Sequence, residues 1–244
     1  MLGFFKKSKP IPVYPRPRVD LHSHLLPNLD DGVTSFEESL EILTRFEAAG
    51  YQKIITTPHI MGDFYKNTPS IIQSSLAELK DYVKGKVNLE IEAAAEYYLD
   101  ESFADLLAKG PDKLLTLGKN FILFETGFMA EPIFLNEVLF KMQSVGLKPV
   151  LAHPERYLYL QENWDLVESL SDRGVYFQIN LNSLVGYYSK PVQKLARRMI
   201  KEDKIHFLGS DCHNLTHLEV TFAALESKDF KIALQHKILN DSFL

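Results

Sequence analysis

The stretch DLHSHLLPNLDDG, residues 20–32, sets Asp20, His22 and His24 at alternate positions, with Asp30 and Asp31 close behind. Alternate residues of a strand share one face. An extended VDLHSH segment therefore predicts one carboxylate and two imidazoles converging on a single patch. A half-buried strand ordinarily carries Val, Ile or Leu there. The pattern points either to a metal site or to a cluster on a solvated edge.

Downstream, apolar runs recur and end in a similar way. KIITTPH ends at His59, NLEIEAAAEYY reaches Glu96, FILFE ends at Glu125, and KPVLAHPER is apolar until His153. VYFQIN ends at Asn180, and IHFLGSDCH ends at Asp211 and His213. Helical patterns separate these runs. Ser35 and Glu38 have capping-box spacing ahead of an amphipathic run to Gly50, and Pro69 opens the next. Further helices are predicted over 101–109, 133–145, 163–173 and 191–202, with two short ones at the end. About seven alternations of strand and helix predict an α/β fold with a parallel sheet covered by helices. In a (β/α) barrel the C-terminal strand ends form one face, where active sites sit. Residues more than a hundred positions apart then meet in one cup.

The candidate metal ligands are His22, His24, Asp31, His59, Glu96, Glu125, His153, Asp211 and His213. They include five of the eight histidines. Unpaired buried acids are costly, so acids and imidazoles gathered at strand ends read as ligands rather than core. Nine donors exceed the needs of one ion and suggest two or three. Imidazole and carboxylate without thiolate suit Mn, Fe or Zn, and neighbouring ions can share a hydroxide and clamp a phosphoryl group. Asp20 is expected either to orient an imidazole from behind or to make an ordinary strand-end hydrogen bond. Arg156 is positioned to overhang the site and bind phosphate oxygens through its planar guanidinium; the bland alternative is a surface pair with Glu155 or another acid. Cys212 lacks the C-x5-R loop of a cysteine phosphatase, because Leu218 stands where the arginine would, and is expected in the core. Aromatic residues in the loops (Phe64, Tyr65, Tyr97, Tyr98, Phe128, Tyr157, Tyr187, Tyr188) fit either an aryl-binding rim or simple loop packing.

The net charge of −5 leaves no nucleic-acid footprint, and the single cysteine fits a reducing compartment. The apolar run at Leu2–Phe5 is too short for a signal peptide or a membrane span. Residues 1–18, with four prolines, read as an extension leading into one domain over 19–244. A cytoplasmic location without an integral membrane segment is expected.

Together, DLHSHLLPNLDDG, TTPH, AAAEYY, FILFE, LAHPERY and GSDCHN resemble the manganese-dependent protein-tyrosine phosphatases of the polymerase-and-histidinol-phosphatase (PHP) superfamily, of the CpsB/CapC type found with capsule and exopolysaccharide genes. The resemblance runs from about Val19 to the end. It implies a distorted (β/α)7 TIM-like barrel holding three metals, with manganese the expected ion. It assigns one ion to His22, His24, Glu96 and Asp211, a second to Glu96, Glu125 and His153, and a third to Asp31, His59 and His213. Arg156 matches an arginine that holds phosphate. The implied substrate is a phosphotyrosine protein, notably the C-terminal tail of a bacterial tyrosine kinase; the oligomeric state stays open. The family's second arginine, a few residues after the SDxHN motif, is missing here. Either His217 substitutes, or phosphate is held less tightly. The rival readings are a phosphoesterase acting on histidinol phosphate or a nucleotide, and a non-catalytic kinase-binding module. An amidohydrolase would often place a carbamylated lysine where Glu125 stands.

Overall fold

The computed structural model describes residues 16–244; the predicted extension falls mostly outside them. Nine short strands follow the predicted runs: β1 (Val19–Asp20), β2 (Lys53–Thr56), β3 (His59–Ile60), β4 (Glu90–Ala93), β5 (Glu96–Tyr98), β6 (Phe121–Glu125), β7 (Lys148–Ala152), β8 (Tyr176–Asn180) and β9 (Phe207–Gly209). They form two parallel sheets, ordered β1-β2-β4 and β3-β5-β6-β7-β8-β9. Two predicted strands are each split, the first at Thr57 and Pro58, where proline has no N–H for the ladder. Hydrogen bonds still cross the breaks, from Ala94 N to Thr56 O (2.9 Å), Glu96 N to Pro58 O (3.2 Å) and Thr57 N to Ser23 O (2.7 Å). The first and last runs meet at a parallel bridge between Ser23 and Cys212.

The helices between these strands begin where the sequence supplies caps. Ser35 accepts from Glu38 N ahead of Phe36–Ala48, and Thr68 accepts from Ile71 N ahead of Pro69–Val83. The Glu38 carboxylate departs from the capping-box pattern by taking Thr34 N instead of Ser35 N. Short helices at Leu158–Glu162 and Leu181–Leu184 have no counterpart in the sequence reading. No helix among the described residues is long and apolar enough to cross a membrane.

Most strand side chains are buried on both faces, as parallel sheets require, the exceptions lying mainly at strand starts such as Glu90 and Lys148. Ile54, Ile122, Phe124 and Leu151 pack outward against the helices in the larger core. Ile55, Ala94, Leu123, Val150, Ala152 and Phe207 form a separate inner core with Val19 and Leu21, closed below by Leu117 and Phe243. Each fully buried aliphatic side chain contributes about 1.5–3 kcal/mol. The inner face turns polar at the C-terminal ends. Glu125 lies two residues beyond Leu123, and Glu96 two beyond Ala94, so the period that fills the core also aims both carboxylates above it.

Candidate active site

The expected alternation through VDLHSH does not hold as drawn. The ladder of β1 stops at Asp20, and Leu21 joins the inner core. Pairing resumes only at Ser23, so the two-residue count does not run through the break. His22 and His24 still converge, with their Nε2 atoms 3.3 Å apart. Asp20 does not orient an imidazole; its carboxylate accepts from Ser210 N and Ser210 Oγ, both at 2.8 Å. This is the strand-end bond, joining the first run to the last, and burial raises the pKa of Asp20 to about 7 against the lowering effect of Ser210.

Other residues orient the imidazoles. His22 Nδ1 lies 2.7 Å from Gln178 Oε1, and His24 Nδ1 lies 2.7 Å from Asp30 Oδ2. The amide nitrogen of Gln178 donates to Asn180 Oδ1, whose own amide nitrogen donates to Asp211 Oδ2 at 2.6 Å. Asp30 also accepts from His59 N and Gly32 N. Sequence reasoning missed Asp30, Gln178 and Asn180. The signal for the last two was present: Gln178 and Asn180 alternate within β8 as His22 and His24 do within their stretch.

With both Nδ1 atoms bonded to acceptors, the Nε2 atoms of His22 and His24 are the ring positions turned toward each other, available to a metal ion or a proton. Glu96 Oε2 and Asp211 Oδ1 complete the group; five separations among these four atoms are 3.2, 3.3, 3.4, 3.5 and 3.5 Å. The triangle of His22 Nε2, His24 Nε2 and Glu96 Oε2 leaves a point about 2 Å from all three atoms, the length of a metal–nitrogen or metal–oxygen bond. Three acceptors facing one point, with Asp211 Oδ1 beside both imidazoles, fit a cation.

Adjacent groups repeat the pattern. His59 Nδ1 lies 3.1 Å from Glu125 and 3.2 Å from Glu96, yet makes no hydrogen bond with either. His153 Nε2 lies 3.0 Å from Glu96 Oε1 and 3.9 Å from Glu125 Oε2. Asp31 Oδ1 stands 3.5 Å from both His59 Nε2 and His213 Nε2. All nine sequence candidates thus meet in one place. Four sets have donor atoms within 4.8 Å of one another: His22–His24–Glu96, His22–His153–Asp211, His59–Glu96–Glu125 and His24–Asp31–His59–His213. His59 groups with Glu96 and Glu125, and His24 with the Asp31 set, neither of which the resemblance implies. His153 and Asp211 adopt left-handed backbone conformations, φ 33° and 49°. Such non-glycine strain costs on the order of 1–3 kcal/mol and clusters at functional sites.

Protons take the place of a cation in the electrostatics. Burial opposes an imidazolium at His22, but Glu96 and Asp211 outweigh it and lift its pKa to about 9. Burial likewise opposes charge on His59, and Glu96 with Glu125 raises it to about 10. Burial would push the Glu96 carboxyl up, but the His22 and His59 charges hold it well below the usual range.

Above these groups opens a cavity of about 710 Å³, walled by Tyr65, Tyr98, Phe128, Tyr188 and Arg156. The Arg156 guanidinium lies 4.8 Å from the Phe128 ring centre and 4.5 Å from that of Tyr188. Its Nη1 donates to Asp211 Oδ2 at 3.0 Å, so the acid it meets is Asp211 in the site and not Glu155. Glu155 is buried and accepts from Asn180 N and Ser183 Oγ. His217 lines the cavity, with Nδ1 3.2 Å from the Asp211 carbonyl; burial lowers its pKa, leaving it uncharged at neutral pH. Tyr97 and Tyr157 are core residues, as is Cys212, whose thiol burial holds far above its ordinary pKa.

Residues 18–224 match the family described as capsular polysaccharide synthesis, CpsB/CapC. The chain belongs to this family. Among CpsB/CapC relatives, the tyrosine-protein phosphatase YwqE of Bacillus subtilis is 31% identical over 232 residues, 93% of this chain and 90% of that protein. A chain from the crystal structures of YwqE and of CpsB from Streptococcus pneumoniae, described as metal-dependent tyrosine phosphatases, superposes with a TM-score of 0.76 at 28% identity, covering 90% of this chain and 96% of that one. The phosphotriesterase homology protein of Escherichia coli (TM-score 0.53, 14% identity, 92% of each chain) shares the fold alone.

Proposed function

We propose that this CpsB/CapC protein is a metal-dependent phosphatase that hydrolyses phosphotyrosine in proteins. The observation that carries the reading is the set His22, His24 and Glu96 facing one point, with Asp211 3.4–3.5 Å from both imidazoles and joined to Arg156 through its other oxygen. One ion would be held by these four, a second by Glu96, Glu125 and His153, and a third by Asp31, His59 and His213, with His59 near enough to serve the second as well. A donor set of imidazole and carboxylate suits Mn²⁺, with Fe or Zn as alternatives. When bound, the ions supply Lewis acidity and an acidified water for in-line attack.

The chain's own residues do the rest. Arg156 offers guanidinium donors to the phosphoryl oxygens as charge develops. Gln178, Asn180 and Asp30 fix the imidazoles and Asp211 before substrate arrives. Tyr65, Tyr98 and Phe128 give an aryl ring apolar walls. Tyrosinate, with a conjugate-acid pKa of about 10, leaves more readily than an alkoxide, so the absence of a dedicated acid is tolerable. Uncharged His217 does not replace the missing arginine's charge, which concentrates anion binding on Arg156. The separate inner core and the Ser23–Cys212 bridge support reading the two sheets as one distorted (β/α)7 barrel. The names of the family and of YwqE support a phosphotyrosine protein of capsule or exopolysaccharide synthesis as substrate, with a bacterial tyrosine kinase tail as the specific proposal.

The test is turnover of phosphotyrosine peptides beside histidinol phosphate and nucleoside monophosphates. Chelated protein should be inactive and Mn²⁺ should restore peptide hydrolysis. Full activity without metal, or preference for the small substrates, would overturn the reading.

A further inference from the structure

The helix Lys190–Lys201 reads KPVQKLARRMIK, with five cations and no acid, in a protein of net charge −5. Arg197 is paired with Asp229 at 2.7 Å and Lys201 lies 3.5 Å from Glu202. Lys190, Lys194 and Arg198 have no ion-pair partner among the described residues. Their spacing of four puts them in one stripe, where like charges repel each other. The stripe extends about 12 Å along the axis, roughly the length of four extended peptide residues.

This stripe edges a groove of about 490 Å³ floored by Leu158, Leu160 and Leu195. Trp164 forms one side, with the Arg198 guanidinium 4.0 Å from its ring centre. Among the described residues, Glu162 is the single acid on the rim. The groove adjoins the active site along two chain segments. Leu158 follows Arg156 by two residues, and Lys190 follows Tyr188 by two, a separation of at most about 7 Å of backbone. Leu158 N also donates to the carbonyl of Phe128 on the cavity wall, at 2.8 Å. A peptide with phosphotyrosine in the cavity therefore needs only a few flanking residues to reach the groove.

We propose that this groove docks an acidic segment of the phosphoprotein substrate, a few residues from the phosphotyrosine. The proposal rests on the phosphotyrosine reading of the active site. Three unpaired cations in line give the charge complement, and the leucine floor beside Trp164 receives an apolar side chain between the acids. Recognition there acts on substrate binding and leaves the chemistry to the cavity.

The test uses the full chain loaded with Mn²⁺, with p-nitrophenyl phosphate and three phosphotyrosine peptides that differ only in acidic, neutral or basic flanks. Each exposed charge contact is worth about 1.5–5-fold, so the acidic peptide should lead the neutral one by about tenfold in kcat/KM, chiefly through KM, and lose its lead at high salt. Removing all three cations (K190A, K194A and R198A) should abolish that lead and leave p-nitrophenyl phosphate turnover unchanged. Lys194→Glu, which takes the stripe from +3 to +1, should shrink the acidic lead more than Lys194→Ala does. Equal kcat/KM for all flanks, with normal turnover of the neutral peptide, would overturn the groove and leave the phosphatase reading intact. The groove also fails if the lead survives the triple variant, or if the three cations govern binding to anionic vesicles and not peptide KM. Turnover of p-nitrophenyl phosphate without hydrolysis of any peptide would remove the phosphotyrosine reading and the groove with it.

Discussion

Arg156 sits between the faces of Phe128 and Tyr188 with one nitrogen on Asp211 Oδ2, which leaves its remaining donors free to meet a phosphoryl group. Removing it does not strip Asp211 of support, because Asn180 Nδ2 at 2.6 Å and Tyr188 OH at 3.3 Å stay on the same oxygen. Arg156→Ala should therefore keep its metal content and lose about 10²–10³ in kcat. Lysine keeps the charge without the planar fork, so Arg156→Lys should recover only part of the rate. A kcat/KM within about threefold of wild type in the alanine variant would remove Arg156 from the reaction centre. The sequence exposed this residue because AHPER places it just past a strand-end histidine. It concealed Asp30. Two adjacent aspartates look alike in a string, and only the fold shows that Asp30 turns inward to His24 while Asp31 stands at the rim.

At the level of the strands, β8 and β9 approach so closely that Gly209 has no substitute. A methyl group there would come 2.6 Å from Gln178 Nε2 and 2.8 Å from His22 Cβ. Since Gln178 sets the tautomer of His22 and passes the chain of bonds to Asn180 and Asp211, a shift of either neighbour reaches the donor set. Gly209→Ala should cost about 1–3 kcal/mol of stability through overpacking and also lower bound metal. A thermal melt and metal analysis would read both, and an alanine variant with full metal content would show that the strand pair has slack. Parallel strands were legible from their runs because they are apolar on both faces, and Glu96 and Glu125 because the inner-face period continues into them. The convergence of Asp20 with the two histidines fails for the opposite reason: counting by twos breaks wherever a ladder stops, and nothing in VDLHSH marks the stop. The left-handed turns at His153 and Asp211, which aim two of the donors, have no glycine to announce them. The short helix Leu181–Leu184 also passed unseen, being too brief for periodicity.

Over the whole molecule, buried charge makes metal, protons and stability interchangeable. Without metal, His22 and His59 hold their protons to about pH 9 and 10, far above the ordinary value near 6.5. A group whose pKa is raised by folding contributes stability that is complete below its unfolded pKa and is lost as pH rises through the folded one. Metal-free protein should therefore melt at progressively lower temperature between about pH 7 and 10. Protein loaded with Mn²⁺ should lose less over that range, because the same nitrogens then bind a cation. In the acid direction the order reverses: protons compete with metal for the imidazoles, and activity should fall as metal leaves. At pH 7.5 the competition has a direct readout. Loading must displace protons from His22 and His59, so calorimetric titration with Mn²⁺ in two buffers of different ionisation enthalpy should give different apparent heats, corresponding to about one or more protons released per molecule. Equal heats in both buffers would mean that the imidazoles are already neutral in the metal-free protein. The acceptors gathered at His22, His24 and Glu96 would then have to be relieved by some rearrangement other than protonation.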